Sequence, residues 1–131
     1  MRDDQITLAG NLAADPVLRF TKTTGRAVTN LRVARNYPRD EQGNQRPAEF
    51  FDVEVWQELA ENTSGLRKGD RVVIIGRYKA DSWTSEDGTV HHTFRIVADE
   101  LALSMRWNPA QSIRPDSTPK QQVLSLPEEL F

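Results

Sequence analysis

The chain has 131 residues, with 17 Lys and Arg against 19 Asp and Glu, and no cysteine. This length predicts one domain with a short tail, and the lack of cysteine excludes disulfides and thiolate metal sites. No apolar run approaches the ~20 residues that span a bilayer, and the polar start predicts no signal peptide, so we expect a cytoplasmic protein. With a net charge of −2, any basic surface must come from the arrangement of charges.

Five stretches of the chain have the alternation or the β-branched content that is typical of strands. In chain order, the predicted strands are residues 6–12, 27–36, 49–56, 71–84 and 89–104. Pro16 interrupts the chain after the first strand, and residues 17–20 then resume an extended run. Gly25 and Gly88 lie in turns and are expected to adopt a positive φ.

One short stretch has a helical pattern, and it lies between the third and fourth strands. Residues 57–66 carry Leu59 and Ala60 among polar residues. Five strands with a helix in this gap predict an all-β fold, a five-stranded Greek-key barrel of the OB type. A β-sandwich is less favoured, because five strands leave too few for two full sheets. The domain is expected to cover residues 1–107, with Trp107 packed where the barrel ends.

Residues 108–131 differ in composition from the rest of the chain. They contain four prolines and show no strand pattern, which predicts a disordered C-terminal tail. Leu126, Leu130 and Phe131 could anchor a protein partner. A passive, solubilising tail is the favoured alternative.

The predicted hairpin of residues 71–97 has a basic and aromatic face. Arg77, Lys79 and Trp83 share one parity on the fourth strand. An exposed Trp83 could stack a nucleobase while the two cations neutralise phosphates. Alternatively, Trp83 caps a small apolar cluster beneath the hairpin, and the residues alone do not decide between the two.

On the third strand, Phe50 and Trp56 share a face opposite the apolar Val53 and Val55. This parity makes the two aromatic residues candidates for stacking on the surface. The alternative for Trp56 is a buried plug against the helix.

Several motifs follow one another over about residues 5–105. The sequence ITLAGNLAADPVLRF, residues 6–20, combines a strand, Gly-Asn-Leu, Asp-Pro and an Arg followed by an aromatic. AVTNL, residues 27–31, follows, then a Glu-aromatic start to the third strand and LRKGD at residues 66–70. The series ends with Gly76 and with Trp83-Thr84, which precede the turn at Asp87-Gly88. In order and spacing, these motifs resemble the bacterial single-stranded DNA-binding proteins.

The resemblance implies an OB-fold homotetramer that wraps single-stranded DNA around its outside during replication, recombination or repair, in the cytoplasm and at the nucleoid. The candidate stacking residues are Phe50, Trp56, Trp83, Tyr37 and Phe20. The candidate phosphate-binding residues are Arg19, Arg32, Arg35, Arg67, Lys68, Arg77, Lys79 and His91. The apolar first strand is expected to pair with a symmetry mate, which gives a dimer of dimers.

Several acidic residues depart from the family pattern. Asp52 and Glu54 lie on the face that should meet DNA, and they would repel phosphate unless neighbours such as Arg32 or Arg77 pair with them. Arg32 and Arg35 have opposite parities unless a bulge intervenes, so the sequence does not say which of them faces DNA.

Two further departures are Asp81, which interrupts a run that is usually more basic, and the chain's last residues, which keep only a trace of the family's terminal motif. Recruitment of replication or repair proteins through the tail is therefore a weaker expectation than DNA binding. These departures favour a specialised paralogue with a short tail.

The residue pattern does not support catalysis. His91 and His92 are adjacent on a strand, so they point to opposite faces and cannot chelate one metal together. The chain has no GxxxxGK phosphate loop, and we expect neither an enzyme nor a cofactor. The remaining alternatives are an OB-fold protein-interaction module with weak or no DNA binding, which would suit the neutral charge, and RNA binding in the same groove.

Overall fold

The computed structural model describes residues 5–114. Its elements are β1 (Gln5–Leu12), β2 (Val17–Phe20), β3 (Ala27–Arg35), β4 (Glu49–Trp56), α1 (Gln57–Thr63), β5 (Arg71–Thr84) and β6 (Val90–Leu103). A sixth strand is present because residues 17–20 form a ladder of their own with β3. Within the described residues, no helix is long and apolar enough to cross a membrane.

The strands form one closed sheet. Their order is β1-β5-β6-β4-β3-β2, and β1 also pairs with β3 at Asn11↔Ala34 and Leu12↔Val33, which closes the ring. The ladders are antiparallel except for β4 and β6, which run parallel at Val53↔Ile96. The predicted fold class, an all-β OB-type barrel with one short helix before the long hairpin, is confirmed.

The inward side chains of five strands make the core. The largest buried apolar residues are Leu8, Leu12, Val33, Val53, Val55, Val72, Ile74 and Ile96. Burying one such side chain stabilises a fold by about 1.5–3 kcal/mol. The helix is fastened to this core by the hydroxyl of buried Thr29, which donates a hydrogen bond to the carbonyl oxygen of Ala60 at 2.9 Å. The helix ends at Thr63, three residues earlier than predicted.

Gly10 lies where the barrel closes. A Cβ at this position would lie 2.5 Å from the carbonyl oxygen of Ala34. No side chain larger than hydrogen fits there without a shift of the backbone, so glycine permits the close approach of β1 to β3.

The β5–β6 hairpin extends beyond the barrel. β6 pairs with β4 only at Ile96 and Val97, and β5 pairs with β1 only as far as Arg77. Over residues 79–95, which we call the arm, the described backbone of β5 therefore pairs only with that of β6. Its turn is closed by a hydrogen bond from the backbone N–H of Ser85 to the carbonyl of Thr89 at 2.9 Å. The positive φ values predicted for the glycines of this turn and the earlier one are confirmed, at +86° for Gly88 and +67° for Gly25.

The carboxylate of Asp87 organises the arm's turn. It accepts hydrogen bonds from the hydroxyl of Ser85 and from the backbone N–H of Thr89. These bonds, the one from Ser85 first, lower the pKa of Asp87 from 3.8 to about 2, because they stabilise the charged form.

Candidate nucleic-acid interface

Outward side chains of β3, β4, β5 and β6 form one connected surface, which we call the sheet face. Cross-strand partners point to the same side of a sheet, and the registers Arg32↔Asp52, Lys79↔Arg95 and Trp83↔His91 align the rows. The members of the sheet face are Arg32, Phe50, Asp52, Glu54, Trp56, Arg77, Lys79, Asp81, Trp83, His91 and Arg95.

Phe50 lies near one end of the sheet face, and its side chain is 51% exposed. The guanidinium carbon of Arg32 lies 4.8 Å from the ring centroid, and the Nη1 atom of Arg32 lies 3.2 Å from the Oδ1 atom of Asp52. One residue thus forms both a cation–π contact and an ion pair. The expected pairing of Asp52 with Arg32 is present.

Trp56 is half-buried at the end of β4. Its indole Nε1 donates a hydrogen bond to Glu54 Oε1 at 2.9 Å, and the guanidinium of Arg26 lies 5.1 Å from the ring centroid. The next residue, Gln57, has φ +61°, and with its amide oxygen turned towards Arg26 it accepts hydrogen bonds at 2.7 and 3.2 Å. The backbone there holds a left-handed conformation that is costly for a non-glycine residue.

An open groove of about 600 Å³ runs beside Trp56. It is lined by Arg26, Glu54, Trp56, Arg77, Tyr78, Lys79, Arg95, Val97 and Ala98. Trp56 is therefore a wall of a groove and not a buried plug against the helix. The groove combines an indole with four cationic side chains. Grooves that bind single-stranded nucleic acids combine the same two features, aromatic rings for the bases and positive charge for the phosphates.

Arg95 is the centre of the charges on the sheet face, and sequence reasoning did not select it. Its Nε lies 2.8 Å from Glu54 Oε2, and its Nη1 lies 2.6 Å from Asp81 Oδ2. Glu54 therefore pairs with Arg95 and not with the expected Arg77, whose partner is Asp99 at 3.1 Å. The β4–β6 register sets Glu54 opposite Val97, two residues from Arg95 on the same side.

Trp83 projects from the arm and is 54% exposed. Its ring stacks on the imidazole of His91, with centroids 4.2 Å apart and planes at 16°. This stack replaces the alternative of an apolar cluster capped by Trp83. Phe94 has the opposite parity and is 67% exposed, because the arm carries it beyond the buried Ile96.

Arg35 lies on the opposite side of β3 from Arg32. The β3–β4 register is unbroken from Val28 to Arg35, so no bulge changes its parity. Arg35 pairs with Glu49 at 3.4 Å and lies 5.6 Å from the ring centroid of Tyr37. Arg32 is therefore the arginine of this pair that belongs to the sheet face, and both Arg35 and Tyr37 lie apart from it.

The β2 candidates lie at the Trp56 edge of the sheet. Val28 pairs with Arg19 on one side and with Trp56 on the other, which sets Arg19 about 10 Å from Trp56 at two strand spacings. Phe20 follows Arg19 and is 58% exposed. Arg19 therefore extends the basic row of the sheet face beyond β4, whereas Phe20 points to the opposite side of β2.

Two basic candidates, Arg67 and Lys68, lie elsewhere, in the turn between α1 and β5. Their backbone N–H groups donate hydrogen bonds to the carboxylates of Asp70 and Asp15, each at 2.8 Å. Both side chains are exposed. Within residues 5–114, no ion pair or ring contact joins them to the sheet face.

Sequence reasoning also missed Arg26 and Tyr78 of the groove. Arg26 lies two residues before Val28, so the β3–β4 register, which pairs Val28 with Trp56, brings it beside the indole. Tyr78 has the opposite parity to Arg77 and Lys79 on β5, and it lines the groove where the β4–β6 ladder is short.

Comparison with known proteins gives a consistent result. The profile of the single-strand binding protein family matches residues 3–104. A single-stranded DNA-binding protein of Thermus aquaticus is 44% identical over 109 residues, which cover 83% of this chain and 40% of that protein. One from Corynebacterium glutamicum is 41% identical over 108 residues, covering 79% and 48%.

A third relative is covered over more of its length. The single-stranded DNA-binding protein of Clostridium tetani is 37% identical over 112 residues, which cover 83% of this chain and 74% of that protein. The chain spans about 40% of the length of the Thermus relatives that it matches.

Proposed function

Because the chain belongs to the single-strand binding protein family, we propose that it binds and protects single-stranded DNA without sequence preference. The observation that carries the proposal is the sheet face, where Phe50, Trp56 and Trp83 each lie against a cationic or imidazole side chain. Bases would stack on the rings, and phosphates would contact the neighbouring cations. All three aromatic residues are exposed or half-buried and available to a ligand.

The gain from base stacking exceeds the expected cost of opening the ion pairs on the sheet face. One base on an aromatic side chain contributes about 1–3 kcal/mol, whereas an exposed ion pair is worth about 0–1 kcal/mol. The pairs of Arg32 with Asp52 and of Arg95 with Asp81 are partly to largely exposed. Phosphates can therefore displace these carboxylates at a cost smaller than the gain from the bases.

We propose that the remaining candidate cations hold the backbone of the strand. Lys79 lines the groove beside Arg77, and Arg19 continues the row past Trp56. Arg35 and Tyr37 would act from the other side of β3, and Arg67 and Lys68 from the turn before β5. Contacts from these last four residues are expected to contribute less than the stacking residues, because the four lie apart from the exposed rings of the sheet face.

We propose that the protein assembles as a homotetramer, a dimer of dimers. Among the described residues, only Asn11 and Leu12 of β1 pair on the edge that faces β3. The backbone of residues 5–9 on that edge would pair with a symmetry mate. Light scattering that finds only monomer at micromolar concentration would contradict this assembly.

Other parts of the proposal rest on family membership. The protein would act in replication, recombination or repair, in the cytoplasm and at the nucleoid, without catalysis or cofactor. Residues 1–107 would bind DNA and form subunit contacts. The predicted tail, residues 108–131, lies largely outside the described residues, and its recruitment of replication or repair proteins stays a prediction. The acidic residues of the sheet face support a specialised paralogue.

A protein-interaction module without DNA binding is not favoured, because the relatives are named for single-stranded DNA binding. The direct test is fluorescence anisotropy of labelled oligo-dT, with duplex DNA and single-stranded RNA as competitors. We expect binding that oligo-dT competes for and that duplex DNA does not. Equal competition by duplex would contradict base stacking as its source, and preferential competition by RNA would change the proposed ligand.

A further inference from the structure

A second exposed tryptophan lies beyond the end of β6 and outside the sheet face. Trp107, expected to pack at the end of the barrel, is 64% exposed. The guanidinium carbon of Arg71 lies 4.5 Å from its ring centroid, and that of Arg106 lies 5.2 Å away. We call these three residues the Trp107 platform. Two cations hold an indole in the open, where it is accessible to a further planar group.

In the part of the chain that the structure describes, no carboxylate pairs with the cations of the Trp107 platform. Within residues 5–114, neither Arg71 nor Arg106 forms an ion pair. Two carboxylates lie at the turn before β5. Those of Asp70 and Asp15 accept hydrogen bonds from the backbone N–H groups of this turn. Among residues 5–114, the guanidinium groups of Arg71 and Arg106 therefore have no carboxylate partner that an anionic ligand would have to displace.

The basic charge continues into that turn. Arg67 and Lys68 are exposed and precede Arg71 by three to four residues. The turn is folded against the end of β1, because the N–H of Gly69 donates to the carbonyl of Leu12 at 2.8 Å. Four cationic side chains and one exposed indole thus occur together at the end of the barrel where β5 begins and β6 ends.

The Trp107 platform is distinct from the aromatic residues of the arm. Arg71 is the first residue of β5, and Trp83 is the last but one. At ~3.3 Å per residue, the strand separates them by about 40 Å. A nucleotide bound at Trp83 therefore cannot contact Trp107 of the same subunit.

We propose that the Trp107 platform is a second base-stacking site for single-stranded DNA, and the inference rests on the binding activity proposed above. One base would stack on Trp107, while the flanking phosphates contact Arg71, Arg106 and the turn before β5. Unpaired cations beside an exposed indole match the polyanionic and aromatic character of a single strand. In a duplex the base faces are covered by neighbouring base pairs, so no base would be free to stack on Trp107.

The test compares two lengths of oligo-dT on the full chain. A strand of about 8 nucleotides lies within the range of one OB-fold site, whereas one of about 40 extends past it. We expect Trp107→Ala to weaken binding of the long strand at least about fivefold, since a stacked base contributes at least ~1 kcal/mol. Binding of the short strand should change less than twofold. Met105→Ala, on the same segment and 68% exposed, is the matched control and should bind like wild type.

The unpaired charge is tested separately through salt. Arg106→Gln should lower the slope of log affinity against log salt for the long strand by about 0.7, the value for one phosphate contact on a single strand. The double variant Trp56→Phe and Trp83→Phe leaves Trp107 as the only tryptophan. Its emission should be quenched by the long strand.

The outcomes separate the two proposals. If wild type binds oligo-dT by anisotropy but Trp107→Ala and Arg106→Gln leave long-strand binding unchanged, the platform is not a DNA site and the proposed function stands. If Trp107→Ala changes the mass found by light scattering and not the affinity, the platform is a subunit contact, and the inference is overturned. If wild type does not bind oligo-dT, both proposals fall.

Discussion

The sheet face and the Trp107 platform both combine arginines with aromatic side chains. They differ in whether a carboxylate of the described chain pairs with those arginines. On the sheet face, Arg32, Arg77 and Arg95 all hold carboxylates within 3.2 Å. On the platform, the side chains of Arg71 and Arg106 lie against the indole and form no ion pair among residues 5–114. A ligand must therefore displace carboxylates from three arginines of the first surface, whereas at the second surface it meets arginines that no described carboxylate pairs with.

Under the proposed function, this difference would explain how a chain with a net charge of −2 binds a polyanion. Paired arginines add little to the long-range field, because each lies beside an opposite charge. These arginines instead position the aromatic rings, and each can exchange its carboxylate partner for a phosphate. The unpaired cations supply the attraction over distance, which salt screens. The sheet face should thus contribute affinity, and the unpaired cations most of the salt dependence.

The largest expected effect on the sheet-face side of the comparison is that of Trp83→Ala. Loss of one stacked base costs about 1–3 kcal/mol, which is about 5- to 150-fold in affinity for oligo-dT measured by anisotropy. The matched control is Phe94→Ala, because Phe94 is similarly exposed on the other side of the arm. Equal losses in both variants would indicate a general disturbance of the arm and not a base contact.

A smaller and opposite effect is expected when a carboxylate is removed. Asp81→Asn frees one side of Arg95, so the affinity at low salt should rise by up to about fivefold, the upper range of an exposed pair. The salt slope should steepen by up to about 0.7. Glu86→Gln is the control, because it removes the same charge from an exposed position of the turn. If both variants behave alike, net charge matters and the ion pair does not.

The smallest effect concerns pH and the turn of the arm. The pKa of Asp87 is lowered to about 2 in the folded chain, so the stabilisation from its charged form is complete above the unfolded value of 3.8 and is lost as pH falls through about 2. Between pH 5 and 8 the turn should not respond to pH. Hydrogen exchange of the Thr89 amide, which donates to Asp87, should accelerate in Asp87→Ala. Unchanged exchange would show that this bond does not hold the turn.

The strands and their exposed faces could be predicted because they depend on local patterns. Alternation on β4 separated Phe50 and Trp56 from Val53 and Val55, and the structure has the same division. The family resemblance, which rested on motif order along the whole domain, is also confirmed. The extra strand β2 was anticipated only as an extended run, because its pairing with β3 depends on the turn between them.

The ion pairs and the groove could not be predicted, because they depend on the register between distant strands. Glu54 meets Arg95 only because β4 and β6 run parallel at Val53↔Ile96. Trp107 follows the last strand, where no periodicity constrains a side chain, and packing was the reasonable expectation for so large an apolar residue. Its exposure depends on tertiary structure.

The most direct test of single-strand binding is a titration of intrinsic tryptophan fluorescence with poly-dT at low and high salt. The proposed function predicts strong quenching at low salt that weakens as salt increases, because bases stack on Trp56 and Trp83 while phosphates replace counterions and carboxylates. Trp83→Ala should lose a large part of the signal. Unchanged emission of the wild-type protein at low salt would contradict the claim that these rings bind DNA, and the barrel fold would stand without it.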